Sequence, residues 1–346
     1  MSAYAGAVIF RLMRTRPGMV ARKSGRGPVG LFVGLSTLDV IHYVDELPAI
    51  NQKITAHGQE VAAGGPATNA AVTFAALGGE AVLVTALGTG AASDIIRSDL
   101  DACGVQVVDA APDQHDRTPI SSITVLRDTG ERSVVSVDAR VDLIVAAPDL
   151  SGLVAGADVV LVDGHHPTLA EEASRCARAS ATPLVLDAGR WKPVMSRLIP
   201  RADAVICSAD FRFPAATDLH SSARAVRAQG VATVVVTRGP DAVLWWQDGQ
   251  SGSVTPPSRL PVKDTSGAGD VFHGAYCYLS TQPRFSDLAA RLAIASRVAS
   301  LKCSYAGTRS WLGHLSAEIA TAALLTNEGE RQHPSGDLPH RLRTPR

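Results

Sequence analysis

The sequence carries no excess charge of either sign. Its 33 Lys and Arg balance 33 Asp and Glu, so no bulk field draws it to nucleic acid or to an anionic membrane. Aromatic residues make up only 5% of the chain, too few to supply stacking surfaces for bases. The five cysteines (Cys103, Cys176, Cys207, Cys277 and Cys303) are scattered, odd in number and without a C-x-x-C pair. That spacing excludes a disulfide frame or zinc finger and points to reduced thiols in a cytoplasmic protein. No apolar run reaches transmembrane length, and no internal repeat is visible. A Walker A loop is absent too, because no Gly-Lys-Ser/Thr follows the glycine-rich stretch.

What is present is a globular composition, 46% hydrophobic and 19% charged over 346 residues, enough for one large α/β domain or two smaller ones. Residues 1–27 hold six basic residues and no acid. They read as a disordered leader, either a transit peptide or the product of a start assigned too early, with Met19 the true beginning. Val29–Leu35 predicts a buried first strand ending in a turn, with Asp39 just beyond it. Lys53–Val61 alternates loosely as a strand, and Pro66 opens an alanine-rich helix that Leu77-Gly78-Gly79 ends. Ser121–Leu126 and Ser133–Val137, joined by Arg127–Arg132, predict a hairpin. From Ala157 onward short apolar strands (Val159–Val162, Leu184–Leu186, Ala204–Cys207, Thr233–Thr237) alternate with helices near 168–180 and 221–229. This alternation means a parallel sheet covered on both faces. A small-residue helix spans Leu292–Cys303, and the tail from Thr326 reads as disordered.

The chemistry concentrates in Asp264-Thr265-Ser266-Gly267-Ala268-Gly269-Asp270 and the apolar run behind it. A helix start offers unpartnered amides and a positive dipole to an anion. Gly267 and Gly269 let main chain approach a phosphate closely. Asp270, in the first helical turn, can accept a proton from an attacking hydroxyl. Loop, helix and base together describe phosphoryl transfer to an alcohol.

This string closely resembles the C-terminal signature of the ribokinase-like (PfkB) carbohydrate kinases. The resemblance implies a three-layer α/β/α fold with a mostly parallel central sheet and a small β-lid, the lid formed from about 39–63 and 118–138 within a kinase domain at 28–325. It implies Asp270 as catalytic base and Gly267, Ala268 and Gly269 as the anion hole. Gly64-Gly65-Pro66-Ala67-Thr68-Asn69 resembles the family's N-terminal signature, so Gly64, Gly65 and Asn69 are expected at the sugar, with Asp39 gripping its hydroxyls and His165 nearby. Thr237 and Gly239 are similar to the family's strand-end T-x-G at the nucleotide phosphates. Thr265, Ser208 and Gly307 complete the expected ATP site. Asp264 and Ser266 match positions near a monovalent-cation site, so K⁺ is an implied cofactor beside ATP and Mg²⁺. A homodimer through the lid is the implied assembly.

The sequence departs from the family at two places. Asp187-Ala188-Gly189-Arg190 lacks the asparagine of D-x-N-x-R, and Ser208-Ala209-Asp210-Phe211 replaces N-x-x-E, a motif that supports the magnesium–phosphate waters. Gly267–Ala275 and Leu301-Lys302-Cys303 look most like the sulfofructose kinase branch, and Lys53 is placed like a lysine that grips the sulfonate there. Ser136 and His165 stand where that branch offers asparagine and arginine. The acceptor stays open at this point among sulfonated sugars, neutral ketoses, ribose, deoxy-keto acids and nucleosides. Two rivals are a catalytically silent sugar- or nucleotide-binding protein and a Rossmann oxidoreductase. The second requires G-x-G-x-x-G after the first strand, which Gly34-Leu35-Ser36-Thr37 does not provide.

Overall fold

Nine strands, most of them short and β-branched, form the sheet around which the chain is layered. This computed structural model describes residues 27–139, 149–257 and 261–315. Nearly all of the basic leader and the whole tail from Thr326 lie outside the described residues. The first half comprises β1 (Val29–Val33), β2 (Thr37–Val44), β3 (Gly58–Gly64), α1 (Pro66–Ala76), β4 (Glu80–Thr85), α2 (Ala91–Ala102), β5 (Val105–Asp109), β6 (Ile120–Leu126) and β7 (Arg132–Ser136). There follow α3 (Leu150–Ala155), β8 (Val159–Val162), α4 (Pro167–Ser180), β9 (Leu184–Ala188), α5 (Met195–Leu198), β10 (Ala204–Cys207) and α6 (Leu219–Arg227). The last part holds β11 (Thr233–Arg238), β12 (Asp241–Gln247), β13 (Gln250–Val254), α7 (Ala268–Ser280) and α8 (Leu288–Cys303).

The large sheet runs β13-β12-β11-β10-β9-β8-β1-β4-β5. It is parallel from β11 to β5 and ends in the antiparallel hairpin β12–β13. Its strands carry apolar side chains on both sides because helices cover both faces. Residues of α1, α2, α7 and α8 pack on one face, and α3, α4, α5 and α6 on the other. This is the expected three-layer arrangement. Helix α6 begins at Leu219, two residues earlier than its pattern suggests, because Asp218 and Ser221 cap it reciprocally.

The lid is a second sheet of order β3-β2-β6-β7. Its alternation is clear: Ser121, Ile123 and Val125 turn inward, and Ile41 and Tyr43 meet them across the β2–β6 pairing. The strand expected over Lys53–Val61 begins only at Gly58. A turn closed by the Gln52 amide on the Ala49 carbonyl, with Asn51 at φ 63°, keeps the preceding residues off the ladder.

Two close approaches fix α1. Gly65 takes φ 102°, and a Cβ there would stand 2.3 Å from the Leu35 carbonyl oxygen, so only glycine brings the helix start against the end of β1. Further along, Phe74 is wholly buried, with ring centroids 5.4 Å from Phe32 and 5.6 Å from Tyr278, both edge-on. Burial of such a ring contributes about 2–3 kcal/mol, and each aromatic pair about 1 kcal/mol more. Helix α7 then lies directly on α1: a Cβ on Gly274 would stand 2.3 Å from the Ala70 carbonyl oxygen. Gly274→Ala should therefore force the two helices apart and cost about 2–3 kcal/mol. Urea denaturation measures this, and an unchanged midpoint would refute the contact.

Candidate active site

The carboxyl ends of the parallel strands, the lid and the start of α7 enclose a cleft of about 530 Å³. Open α/β sheets place ligands at this edge. On its floor Gly267, at φ 70°, turns the chain from the loop into α7. By helix geometry the first-turn amides have no intrahelical acceptors and point toward the cleft. Asp270 sits in that first turn, half-buried, and accepts 2.9 Å from Asn69 Nδ2. Burial, then the neighbouring Asp187 carboxylate, push its pKa up to about 6, while the Asn69 hydrogen bond works in the opposite direction.

Asn69 is itself held. Arg309 donates to its Oδ1 at 3.3 Å, to the Ala63 carbonyl at 2.7 Å and to Asp99 Oδ2 at 3.0 Å. The chain Asp99–Arg309–Asn69 therefore sets the face that Asn69 presents to Asp270. Beside Asp270, the donor atoms of Asp187 and His273 lie with its own carboxylate within 4.8 Å of one another. His273 is buried, with Nδ1 3.4 Å from Asp187 Oδ2.

At the lid end Asp39 is buried and accepts from Thr37 Oγ1 at 2.6 Å. Burial raises its pKa, and the Thr37 and Ser121 hydroxyls oppose the rise. Ser121 donates to Ser136 at 3.1 Å, so Asp39, Ser121 and Ser136 form a row of hydroxyl-type groups across three strands. A Cβ on Gly64 would stand 1.9 Å from the Asp39 carboxylate, which explains glycine there. Behind the row Asp163 accepts from the Leu35, Ala67 and His165 amides. Burial alone would favour its neutral form, yet His165 and Lys192 hold its carboxyl well below the usual range.

Most of the expected site residues converge on this cleft: Asp39, Gly65, Asn69, His165, Ser208, Thr237, Ser266, Gly267, Gly269 and Asp270 all line it. Seven do not line it: Gly64 packs against the Asp39 carboxylate, Asp264 is buried beside Lys302, and five more lie as follows. Lys53 is exposed in the loop between β2 and β3, away from the lining, so it offers no grip on a sulfonate there. Gly239 sits in the turn between β11 and β12 and does not line the cleft. Gly307 does not line the cleft, and its amide donates to Asp264 Oδ2 at 3.3 Å. Thr265 faces the lid, its amide and hydroxyl both donating to the Gly130 carbonyl at 3.0 and 2.8 Å. Ala268 stands between the two lining glycines and contributes only main chain.

Two implied ions fare differently. Asp187 and Asp210 both line the cleft and offer carboxylate oxygens, the donors that Mg²⁺ requires. The residues expected at a monovalent cation do not fit one, because Lys302 Nζ stands 3.2 Å from Asp264 Oδ2. Sequence reasoning also missed Arg309, Asp99 and His273 as parts of the site. The partners of Arg309 and Asp99 lie far away in the chain, whereas His273 stands one helical turn after Asp270 and could have been read from that spacing.

The sequence profile described as the pfkB family carbohydrate kinase matches residues 31–313. A curated relative, the ribokinase of Bacillus subtilis, is 26% identical over 280 residues, covering 79% of this chain and 92% of its own length. The deoxyribokinase of Salmonella typhi is 25% identical over 303 residues, covering 80% and 93%. Among solved structures, a candidate ribokinase from Agrobacterium tumefaciens superposes with a TM-score of 0.75 at 25% identity, covering 87% of this chain and 99% of its own. With the profile spanning most of the chain, and the fold and cleft as described, the protein belongs to the pfkB family of carbohydrate kinases, phosphotransferases that act on sugar hydroxyls.

Proposed function

We propose that the protein transfers the γ-phosphate of ATP to a primary hydroxyl of an uncharged sugar, with Asp270 as general base. The observation that carries this reading is the position of Asp270. It sits in the first turn of α7, among amides suited to an anion, and accepts from Asn69 at 2.9 Å. A carboxylate poised near pH 6 is ionised at neutral pH, yet basic enough to take a hydroxyl proton as the oxygen attacks. The Gly267–Gly269 amides and the helix dipole then face the negative charge that builds on the transferred group. Asp187 and Asp210 would hold Mg²⁺ with the nucleotide phosphates, and the ion would supply charge neutralisation there.

An uncharged acceptor is favoured by the lid row. Asp39, Ser121 and Ser136 can each exchange hydrogen bonds with sugar hydroxyls, and a buried carboxylate repels an anionic substituent. Four of the five lysines and arginines lining the cleft are engaged, Arg309 with Asp99, Arg190 with Asp138 at 2.8 Å, Lys302 with Asp264 and Lys192 with the Asp163 carbonyl at 3.1 Å, while Arg132 reaches the Thr265 hydroxyl at 3.1 Å. The relatives named ribokinase and deoxyribokinase support a sugar rather than a nucleoside. No helix among the described residues is long and apolar enough to cross a membrane. With five free cysteines and a need for ATP, we place the enzyme in the cytoplasm.

The lid also supports self-association. Ile120, Val135 and Val137 are 53, 74 and 63% exposed on or beside its strands, and β7 is an edge strand with unpaired main chain. The partner we propose is a second copy of the lid. Sedimentation equilibrium should find a dimer that Val135→Glu converts to monomer; a monomeric parent protein would sink the idea.

Two kinetic measurements address the base. Asp270→Asn should leave nucleotide binding within about twofold and lower kcat by roughly 10²–10⁴-fold on whichever sugar is turned over; full turnover in that variant would remove Asp270 from the role. Because the base must be ionised, kcat/KM should fall below about pH 6 and level off above it. Asn69→Ala removes the donor that favours the charged carboxylate, so the acid limb should move to higher pH. An unmoved or lowered limb would contradict the electrostatic role of Asn69.

A further inference from the structure

The position expected to hold a monovalent cation contains a side chain. Lys302, near the end of α8, is 2% exposed, and Asp264, at the head of the glycine loop, is 0% exposed. The Lys302 Nζ stands 3.2 Å from Asp264 Oδ2 and donates to the Asp264 carbonyl at 3.0 Å. The carboxylate is otherwise fully used. Its Oδ1 accepts from the Ser266 amide at 2.8 Å, and its Oδ2 from the Gly307 amide at 3.3 Å and the Tyr43 hydroxyl at 3.4 Å.

We propose that the Lys302 ammonium is a covalently attached replacement for the monovalent cation, and that the anion-hole loop of this protein is built without K⁺. Two physical arguments carry the proposal. A potassium ion needs several oxygen ligands at once, and both oxygens of Asp264 are already occupied by donors. Placing K⁺ beside a buried ammonium would also set two positive charges against one carboxylate away from solvent, where such repulsion is poorly screened. The Ser266 hydroxyl is buried without a partner and Ser266 lines the cleft. One hydroxyl is too few for a cation cage.

Lys302 is a positioning residue. Its two contacts grip the side chain and the main chain of Asp264 together, which fixes where Thr265, Ser266 and Gly267 run and hence where the first turn of α7 begins. A tethered ammonium has no binding equilibrium, so the loop keeps its shape whatever salt surrounds the protein. Burial lowers the pKa of Lys302, and the Asp264 carboxylate acts to keep it charged.

The proposal rests on the kinase reading only for the purpose of the loop, and its test is readable without turnover. Thermal unfolding of the full chain would be followed in KCl and, at equal ionic strength, in tetramethylammonium chloride, a cation too large for the position. The wild-type midpoint should agree within about 1 °C in the two salts, whereas a true K⁺ site would raise it progressively with K⁺ concentration. Lys302→Ala should melt lower in tetramethylammonium and recover part of the loss in K⁺ or methylammonium. If the Ala variant does not fold, the wild-type comparison decides alone. A wild-type midpoint that climbs with K⁺ overturns the proposal, and so does a Lys302→Ala protein that melts like wild type in both salts. Failure of every sugar to be phosphorylated would sink the proposed function and leave this result standing.

Discussion

Asn69 and Asp270 lie 201 residues apart in sequence, and the 2.9 Å hydrogen bond between them depends on α1 and α7 lying at main-chain contact. No side chain larger than glycine at position 274 permits that approach, because the Ala70 carbonyl occupies the place of its Cβ. The contact is made along apolar faces, so its strength comes from burial and dispersion, and its accuracy from close packing. A displacement of a fraction of an ångström would lengthen the hydrogen bond that helps to set the charge on Asp270. Packing is thereby the source of the chemistry as well as of the fold.

The electrostatics of the cleft floor follow from how few counter-charges are admitted. Asp187, Asp270 and His273 crowd within 4.8 Å, and burial with carboxylate repulsion lifts the proton affinity of Asp270. Asn69 contributes no charge, so it counters that rise only partly, as the proposed role of base requires. A lysine or arginine in its place would hold Asp270 far below neutrality and make it a poor proton acceptor. Arg309 is kept one step away, its guanidinium directed to Asp99 and the Ala63 carbonyl, and reaches Asp270 only through Asn69.

Much of this was legible in the sequence where the signal was local. The alternation of short apolar strands with helices gave the layered sheet, and Gly267 to Asp270 together with Gly65 and Asn69 marked the floor of the cleft. Signals failed where a residue acts through a distant partner. Arg309 reads as one more charge after a turn, and its meaning lies in Asp99, 210 residues away. Lys302 reads as a basic residue at a helix end, where the dipole alone would explain it; only the fold shows it buried on Asp264. Thr265 sits in the anion loop and Gly307 just after α8, yet their donors turn to Gly130 and to Asp264. Lys53 fell in a segment whose loose alternation suggested a strand, while the turn at Asn51 keeps it in an exposed loop.

The turn of the lid and the phosphate loop form one mechanical unit. Gly130, at φ 69° in the hairpin turn, receives both donors of Thr265, and Tyr43 on β2 reaches Asp264. On the other flank Glu60 of β3 accepts from the Thr308 amide at 2.9 Å, next to the residue whose amide also holds Asp264. A sugar held at Asp39 and Ser121, as proposed, would therefore act on strands whose far ends touch the loop of Asp264 to Gly267. Hydrogen bonds of this kind are individually weak, on the order of 1 kcal/mol, but several of them converge on Asp264 and its neighbours. Loosening the lid would release Tyr43 and Thr265 together and leave Lys302, the Gly307 amide and the Cys303 carbonyl to anchor that loop on the body of the protein. A permanently attached ammonium suits that duty better than an exchangeable ion, because it cannot leave when the lid opens.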